Sequence, residues 1–487
     1  MKKEHGKVTE LTGMPSLAQA IPLSLQHVVA MIVGCVTPAI IVSGVAGLAE
    51  ADRIILIQSA LLISAVATFI QLFPVRKYIG SGLPVIMGAS FAYVPLLISL
   101  GSRFDLATVF GAQLVGGFVA ILVGVFYKKL THIFTPIVTG TVVLTIGLSL
   151  YPTAVTYMAG GSGAVDFGGA QNWIIAMITL GAVLYFNYFT KGTMQLASIL
   201  LGMIAGYIVS LCMGMVSFDS VGTASWMQFT MPMHFGMKFE LSAILSMSIM
   251  YIVTSIEAIG DLTATVTGGL DREPEDAEIS GGIIGNGIAS IIGSFFGGLP
   301  TATFSQNVGI VSMTKVVNRN VLGLAGVFIL IAGLSPKFSA ILTTIPGSVI
   351  GGATVSVFAM IAMTGMRLIA KAGFSPRNLT IAGLSVAMGI GILQVDGSLA
   401  FLPDWAMTIF GESSVVIASV FAIVLNLIIL KDDKGTEEED GLEEITAEEA
   451  VKSCGRAAYE PMTAEAEIIE VKEIPENEIG SGTEVLA

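Results

Sequence analysis

Runs of roughly twenty residues with hardly a charged side chain recur along this chain, and very few architectures accommodate them. A bilayer's hydrocarbon core is about 30 Å thick, needs about 20 helical residues to cross, and offers no water to a free backbone N–H or C=O. Spanning elements must therefore satisfy their own backbone. Runs this continuously apolar read as helices rather than as alternating strands. With 54% apolar residues, 12% charged residues and 56 glycines, the expected fold class is an all-α polytopic membrane protein.

The apolar windows lie near residues 22–45, 54–73, 80–99, 105–126, 133–156, 172–189 and 195–216, then near 240–266, 280–297, 299–314, 320–335, 345–366, 378–394 and 412–430. A polar link with Asp219, His234 and Lys238 separates the two groups. Fourteen crossings put both termini on one side. Loop charges support that register, because eleven Lys and Arg residues fall on one side (Arg76, Lys77, Lys128, Lys129, Lys191, Arg272, Lys315, Arg319, Arg367, Lys371, Arg377) against four on the other (Arg53, Arg103, Lys238, Lys337). Both termini are therefore expected to be cytoplasmic, in a multi-pass protein of the cell membrane. The expected organisation is a short cytoplasmic N-terminus (1–20), a first seven-span repeat (21–218), a second (219–430), and a tail (431–487).

Seven spans per half means that the halves enter the membrane from opposite faces, as an inverted repeat. Gly82-Leu83-Pro84 recurs as Gly298-Leu299-Pro300, 216 residues later. Both copies interrupt short apolar segments, the best sequence pointer to broken helices and a binding site near the membrane midplane. Two breaks that face each other can pair as short extended segments. The same offset carried forward pairs Ser90 with Gln306 and Phe91 with Asn307.

The net charge of -13 is a property of the tail, since residues 431–487 hold 18 of the 36 acidic and 5 of the 23 basic side chains. The tail reads as solvated and largely disordered. The balanced remainder gives no basic field for a nucleic-acid partner. Cys35, Cys212 and Cys454 are too far apart in sequence to suggest a disulfide framework or a metal site. The first twenty residues lack a signal-peptide pattern, so no cleavable leader is expected.

Polar residues inside apolar runs are the candidates for function. Ser305-Gln306-Asn307-Val308-Gly309 places two amides in the tenth span, where an unpartnered amide costs about 1–3 kcal/mol. Glu257 and Asp261, four apart in the eighth span, share a helix face. Intramembrane acids usually serve as proton relays or substrate ligands, and Glu257 is expected to change protonation during a working cycle. Asp261, nearer the span's end, has the alternative of bonding neighbouring Thr or Ser hydroxyls. His27, beside Gln26, reads as a hydrogen-bonded strut ahead of a proton carrier. Asn286 reads either as a site group or as a tie between helices. Phe91 leaves two readings open: stacking on a flat ligand, or packing toward lipid.

Gln26-His27, Gly88-Ala89-Ser90-Phe91-Ala92, Glu257-Ala258-Ile259-Gly260-Asp261, and Gln306-Asn307-Val308-Gly309 with Thr314 together resemble the nucleobase-ascorbate transporter family, in its bacterial xanthine, urate and uracil permease form. The resemblance runs from about residue 15 to 430. It implies fourteen spans in two inverted repeats, a core and a gate domain, antiparallel strands in spans three and ten, a homodimer, and proton symport. Carried onto this chain, it makes Glu257 the substrate-binding acid and Gln306 the second recognition residue. Ser90, Phe91 and Ser305 become further contacts to the base, with Asn307 beside them. Uracil permeases in the family carry Glu where Gln306 stands and xanthine and urate permeases carry Gln, which implies an oxidised purine. Two positions depart from the pattern: Asn286 replaces a family carboxylate, and Thr314-Lys315-Val316 replaces the eukaryotic Thr-Arg-Gly ending.

The function expected from the sequence is thus import of xanthine or urate with protons, without a cofactor. The alternatives are a uracil or broader nucleobase permease, a passive channel, and an intramembrane aspartyl protease. The protease would need a second intramembrane Asp, which no other apolar span clearly supplies.

Overall fold

The computed structural model describes residues 8–429 apart from 77, 131–134, 162, 396, 404–405, 408–409 and 412. The acidic tail expected at 431–487, with Cys454, lies outside the described residues. The described chain is mostly helical. Its elements are α1 (Leu17–Val45), α2 (Glu50–Leu72), β1 (Met87–Ala89), a 3-10 turn (Phe91–Tyr93), α3 (Val94–Arg103), α4 (Leu106–Leu130), α5 (Pro136–Ser149), α6 (Tyr151–Met158), α7 (Ala170–Phe189), α8 (Thr193–Leu196), α9 (Ser198–Cys212) and α10 (Asp219–Thr223). There follow α11 (Leu241–Leu270), α12 (Asp276–Phe296), β2 (Thr301–Thr303), α13 (Ser305–Thr314), α14 (Arg319–Gly333), α15 (Pro336–Thr343), α16 (Gly347–Ala372), α17 (Pro376–Leu393) and α18 (Ser414–Ile428).

Counting α5 and α6 as one span (Pro136–Met158), nine of the described helices are long and apolar enough to cross a membrane, and α14 with α15, bent by 80° at their junction, makes ten. The shorter α9 and α18 are also apolar. Both breaks foreseen at the Gly-Leu-Pro triplets are present, and in each a three-residue strand leads into a short helix. Cys35 is buried and Cys212 exposed, both as free thiols.

The packing forms two groups, each drawing on both halves of the chain. In the first, α4 packs against α11 and α12, α2 against α12 and α14, and α1 against α2 and α14. In the second, α5 packs against α16, α17 and α18, and α7 against α9 and α16. Close helix approach depends on missing side chains. A Cβ at Gly287 of α12 would lie 2.7 Å from the Gly117 carbonyl oxygen of α4.

Both strand-helix units lie in the first group. β1 and β2 run antiparallel with Met87 opposite Thr303, Gly88 opposite Ala302 and Ala89 opposite Thr301. The ladder continues at both ends, where Ser90 N–H donates to Pro300 O and Phe304 N–H to Ile86 O, each at 3.0 Å. The outer edge of β1 faces α2: the Ser64 hydroxyl donates to Met87 O, and Met87 N–H donates to Thr68 Oγ1 at 3.0 Å. Backbone that lipid cannot satisfy is thereby paired within the protein.

The strands correct the residue pairing drawn from the triplets. They begin at 87 and 301, an offset of 214, so Ser90 corresponds to Phe304 and Phe91 to Ser305, and neither Ser90–Gln306 nor Phe91–Asn307 is an equivalent pair. The reason is local. Two residues lie between Pro84 and β1, whereas Pro300 runs directly into β2.

Phe304 closes the crossing. Its ring fills the space above two glycines, and a Cβ at Gly88 would fall 2.2 Å from Phe304 Cε2 while one at Gly34 of α1 would fall 2.6 Å from Cε1. Gly88→Ala is expected to destabilise the detergent-solubilised protein by about 1–3 kcal/mol through overpacking, seen as a lower thermal midpoint. Phe304→Leu in the same chain, by making room, is expected to recover part of the loss.

Candidate functional site

The two carboxylates of α11, one turn apart, have different surroundings. Asp261 is held by the second strand-helix unit: Thr303 Oγ1 donates to it at 2.6 Å, and Ser305 Oγ lies 2.9 and 3.0 Å from its two oxygens. Glu257 has no such holder, and its buried Oε2 is without a hydrogen-bond partner among the described residues. A buried carboxylate oxygen left unpaired is costly and marks a place where a donor belongs. Asp261 thus takes the role of bonding local hydroxyls, and Glu257 is the acid left open.

The alternation of β2 explains the first arrangement. Residues two apart in a strand share a face, so Thr301 and Thr303 both point toward the helices behind them. Thr301 Oγ1 donates to Asn286 Oδ1 of α12 at 2.7 Å, and Thr303 serves Asp261. Asn286, 2% exposed, is therefore a tie between α12 and the strand crossing. The Thr-x-Thr spacing is present in the sequence, but three residues are too few to stand out as a strand period.

At the start of α13 the three polar residues separate by role. Ser305 is exposed and Gln306 half-buried, and the Gln306 amide makes no side-chain hydrogen bond among the described residues. Both are in the helix's first turn, where N–H groups lack intrahelical acceptors and favour negative or carbonyl partners. Asn307 is buried and engaged, since its Nδ2 lies 3.1 Å from His27 Nδ1 and donates to His27 O at 3.1 Å. His27, 1% exposed, acts as the expected strut, tying α1 to α13. The other end of the Asn307 amide, Oδ1, is buried and without a partner among the described residues.

The first unit presents a matching end. Ser90 caps the 3-10 turn, its Oγ accepting from Ala92 N–H at 3.2 Å. Phe91 follows, 8% exposed, so it does not face lipid. Its ring meets that of Phe358 on α16 edge-on, with centroids 5.3 Å apart. Phe91 thus touches the second helix group from the first, a contact that no sequence pattern announces because 267 residues separate the partners.

Open space adjoins these groups. A Cβ built at Gly260, beside Asp261, or at Gly309, one turn beyond Ser305, meets nothing within 4 Å. The structure thus joins Asp261 of α11 to Ser305 at the start of α13, with Glu257 one helical turn before Asp261 and Gln306 next to Ser305 in the chain. Ser90 and Phe91 sit at the other end of the strand crossing, and His27, Asn286 and Asn307 are braces. No group of His, Cys, Asp and Glu fit to hold a metal occurs among the described residues. An unpaired carboxylate oxygen, a free carboxamide and half-helix N–H groups can together accept from and donate to a small planar molecule with alternating N–H and C=O groups.

A family model described as "Permease family" (Xan_ur_permease) matches residues 18–397. The chain is 35% identical over 436 residues to a protein named Xanthine permease from Bacillus subtilis (strain 168), covering 88% of this chain and 98% of that one. It is 37% identical over 421 residues to Uric acid permease PucJ of the same organism, covering 85% and 93%. Among solved structures it is similar to the murine Solute Carrier 26 family member A9 anion transporter in the inward-facing state, with a TM-score of 0.52, 12% identity, and 84% and 68% coverage. At that identity the likeness concerns the fold alone. The family and the sequence relatives are permeases, not enzymes.

Asp261→Ala strands the buried Thr303 hydroxyl, and the expected loss is about 1–3 kcal/mol of stability, measured as a lower thermal midpoint in detergent. Thr303→Val, which removes one donor and keeps the shape, is expected to show a smaller drop.

Proposed function

This chain belongs to the permease family, and on that premise we propose that it is a secondary transporter that imports an oxidised purine, xanthine or urate, together with protons. The observation that carries the reading is a buried Glu257 Oε2 without a partner among the described residues, one turn before the Asp261 that holds Ser305, the residue next to Gln306. A purine dione edge presents N–H donors and C=O acceptors in sequence. A carboxylate accepts from an N–H, while a carboxamide accepts and donates at once and so matches an adjacent N–H and C=O pair. Such a site rejects analogues that leave one of its groups unpaired.

In this proposal Glu257 and Gln306 read the edge, Phe91 stacks on or cradles the ring, and Ser90 and Ser305 contribute through backbone. Asp261, His27, Asn286 and Asn307 keep these groups in place. Fourteen crossings form two inverted seven-span repeats, with the bent α14–α15 pair, the shorter α9 and α18, and the two strand-helix units completing the nine long helices. Both termini face the cytoplasm, and the protein works as a homodimer in the cell membrane. The first helix group moves as a core against the second as a gate, exposing the site to each side in turn. A proton on Glu257 neutralises it for that passage and lowers the cost of moving an acid through the low-dielectric barrier.

The test is uptake of radiolabelled xanthine into vesicles under an imposed proton gradient. Saturable uptake abolished by a protonophore is expected, with competition by urate and less by uracil. Uptake blind to both xanthine and urate would contradict the substrate class, and uptake that survives the protonophore would favour a passive channel. Glu257→Gln is expected to abolish accumulation. Gln306→Glu is expected to shift preference toward uracil by about tenfold or more, since one well-matched polar contact is worth about 1.4 kcal/mol or above.

A further inference from the structure

The two strand-helix units are tied to α11 by different means. The second is held through Asp261, as described above. The first is held by Tyr93, the last residue of the 3-10 turn that begins with Phe91. Tyr93 is fully buried, and its phenol oxygen lies 2.6 Å from Thr254 Oγ1 of α11. The direction of this bond follows from proton counting. Thr254 has a single hydroxyl proton, and Oγ1 lies 3.0 Å from the Met250 carbonyl oxygen and 3.4 Å from that of Tyr251, where that proton is used. The Tyr93 O–H therefore donates to Thr254.

The surroundings leave this link little play. The Tyr93 ring lies against the Tyr251 ring with centroids 5.0 Å apart. Tyr251 in turn is packed so closely on α4 that a Cβ at Gly116 would fall 2.2 Å from its Cδ2. Thr254 precedes Glu257 by three residues, about one helical turn. Phe91 precedes Tyr93 by two residues within one short turn. A rigid path thus runs from Phe91 through Tyr93 and Thr254 to Glu257.

We propose that Tyr93 and Thr254 are positioning residues that fix the span between the Phe91 ring and the Glu257 carboxylate, and with it the width of the slot that receives the planar base. The inference rests on the reading in which those two groups hold the base. Neither Tyr93 nor Thr254 needs to touch the ligand. Without the bond, the half-helix that begins at Phe91 can shift along α11, and the stacking surface and the edge reader no longer fit one molecule together.

Xanthine uptake by the full-length protein in proteoliposomes tests this on Tyr93→Phe, Thr254→Ala, Thr254→Ser and the Tyr93→Phe/Thr254→Ala double variant, with thermal midpoints measured alongside. Tyr93→Phe and Thr254→Ala are each expected to raise KM about tenfold, the value of one lost hydrogen bond, with the maximal rate within about twofold of wild type. Thr254→Ser, which keeps the acceptor, is expected to behave as wild type, and the double variant to be no worse than either single one. An unchanged KM with a lowered midpoint would overturn the proposal, because the link would then serve packing only. Multiplying effects in the double variant, or failure of both single variants to yield folded protein, would overturn it as well. Absence of xanthine and urate uptake in the wild type would instead contradict the transport reading itself, which separates the two failures.

Discussion

Backbone that leaves the helix inside a membrane must find its partners in protein, and the rest of this structure is arranged around that requirement. Two breaks meet as a three-residue antiparallel crossing. Ser64 and Thr68 of α2 satisfy the outer edge of β1, and the Phe304 ring fills the volume left by Gly34 and Gly88. Once the crossing is fixed, two helix starts are fixed with it, at Phe91 and Ser305. Their free N–H groups cannot be used by the helices they begin, and are available to a ligand.

The same crossing accounts for the unequal treatment of two acids one turn apart. Asp261 lies where Thr303 and Ser305 can reach it, so it becomes part of the scaffold of the second unit. Glu257 lies beyond that reach, and its Oε2 has no partner. Asp261, His27 and Asn286 are held by hydrogen bonds, whereas Glu257 Oε2 and Asn307 Oδ1 are buried without a partner among the described residues. The braces are spread widely over the chain, with His27 on α1 and Asn286 on α12 both serving the second unit.

Much of this was legible in the sequence, because bilayer thickness and backbone satisfaction leave few choices. Each apolar window coincides with a helix or a strand-helix unit, and Gly-Leu-Pro marked both breaks. Asp261 bonding to Thr and Ser, and His27 as a strut, follow from residue chemistry in an apolar setting. What did not follow was register. The offset of 216 between triplets becomes 214 between strands because linker length after a proline is not encoded in the proline. Long-range contacts such as Phe91 with Phe358 and Tyr93 with Thr254 were also hidden, since no local periodicity reports which distant helix a side chain will meet. The Thr301 and Thr303 alternation was present in the sequence but spans only three residues, too few to stand out as a strand.

The central claim is that Glu257 and Gln306 together read one edge of a purine, and a structure of the protein with bound xanthine tests it most directly. The account predicts the purine edge within about 2.6–3.2 Å of a Glu257 carboxylate oxygen and of the Gln306 amide, with the ring against Phe91. Xanthine bound elsewhere, or bound with Glu257 Oε2 still unpartnered, would contradict it.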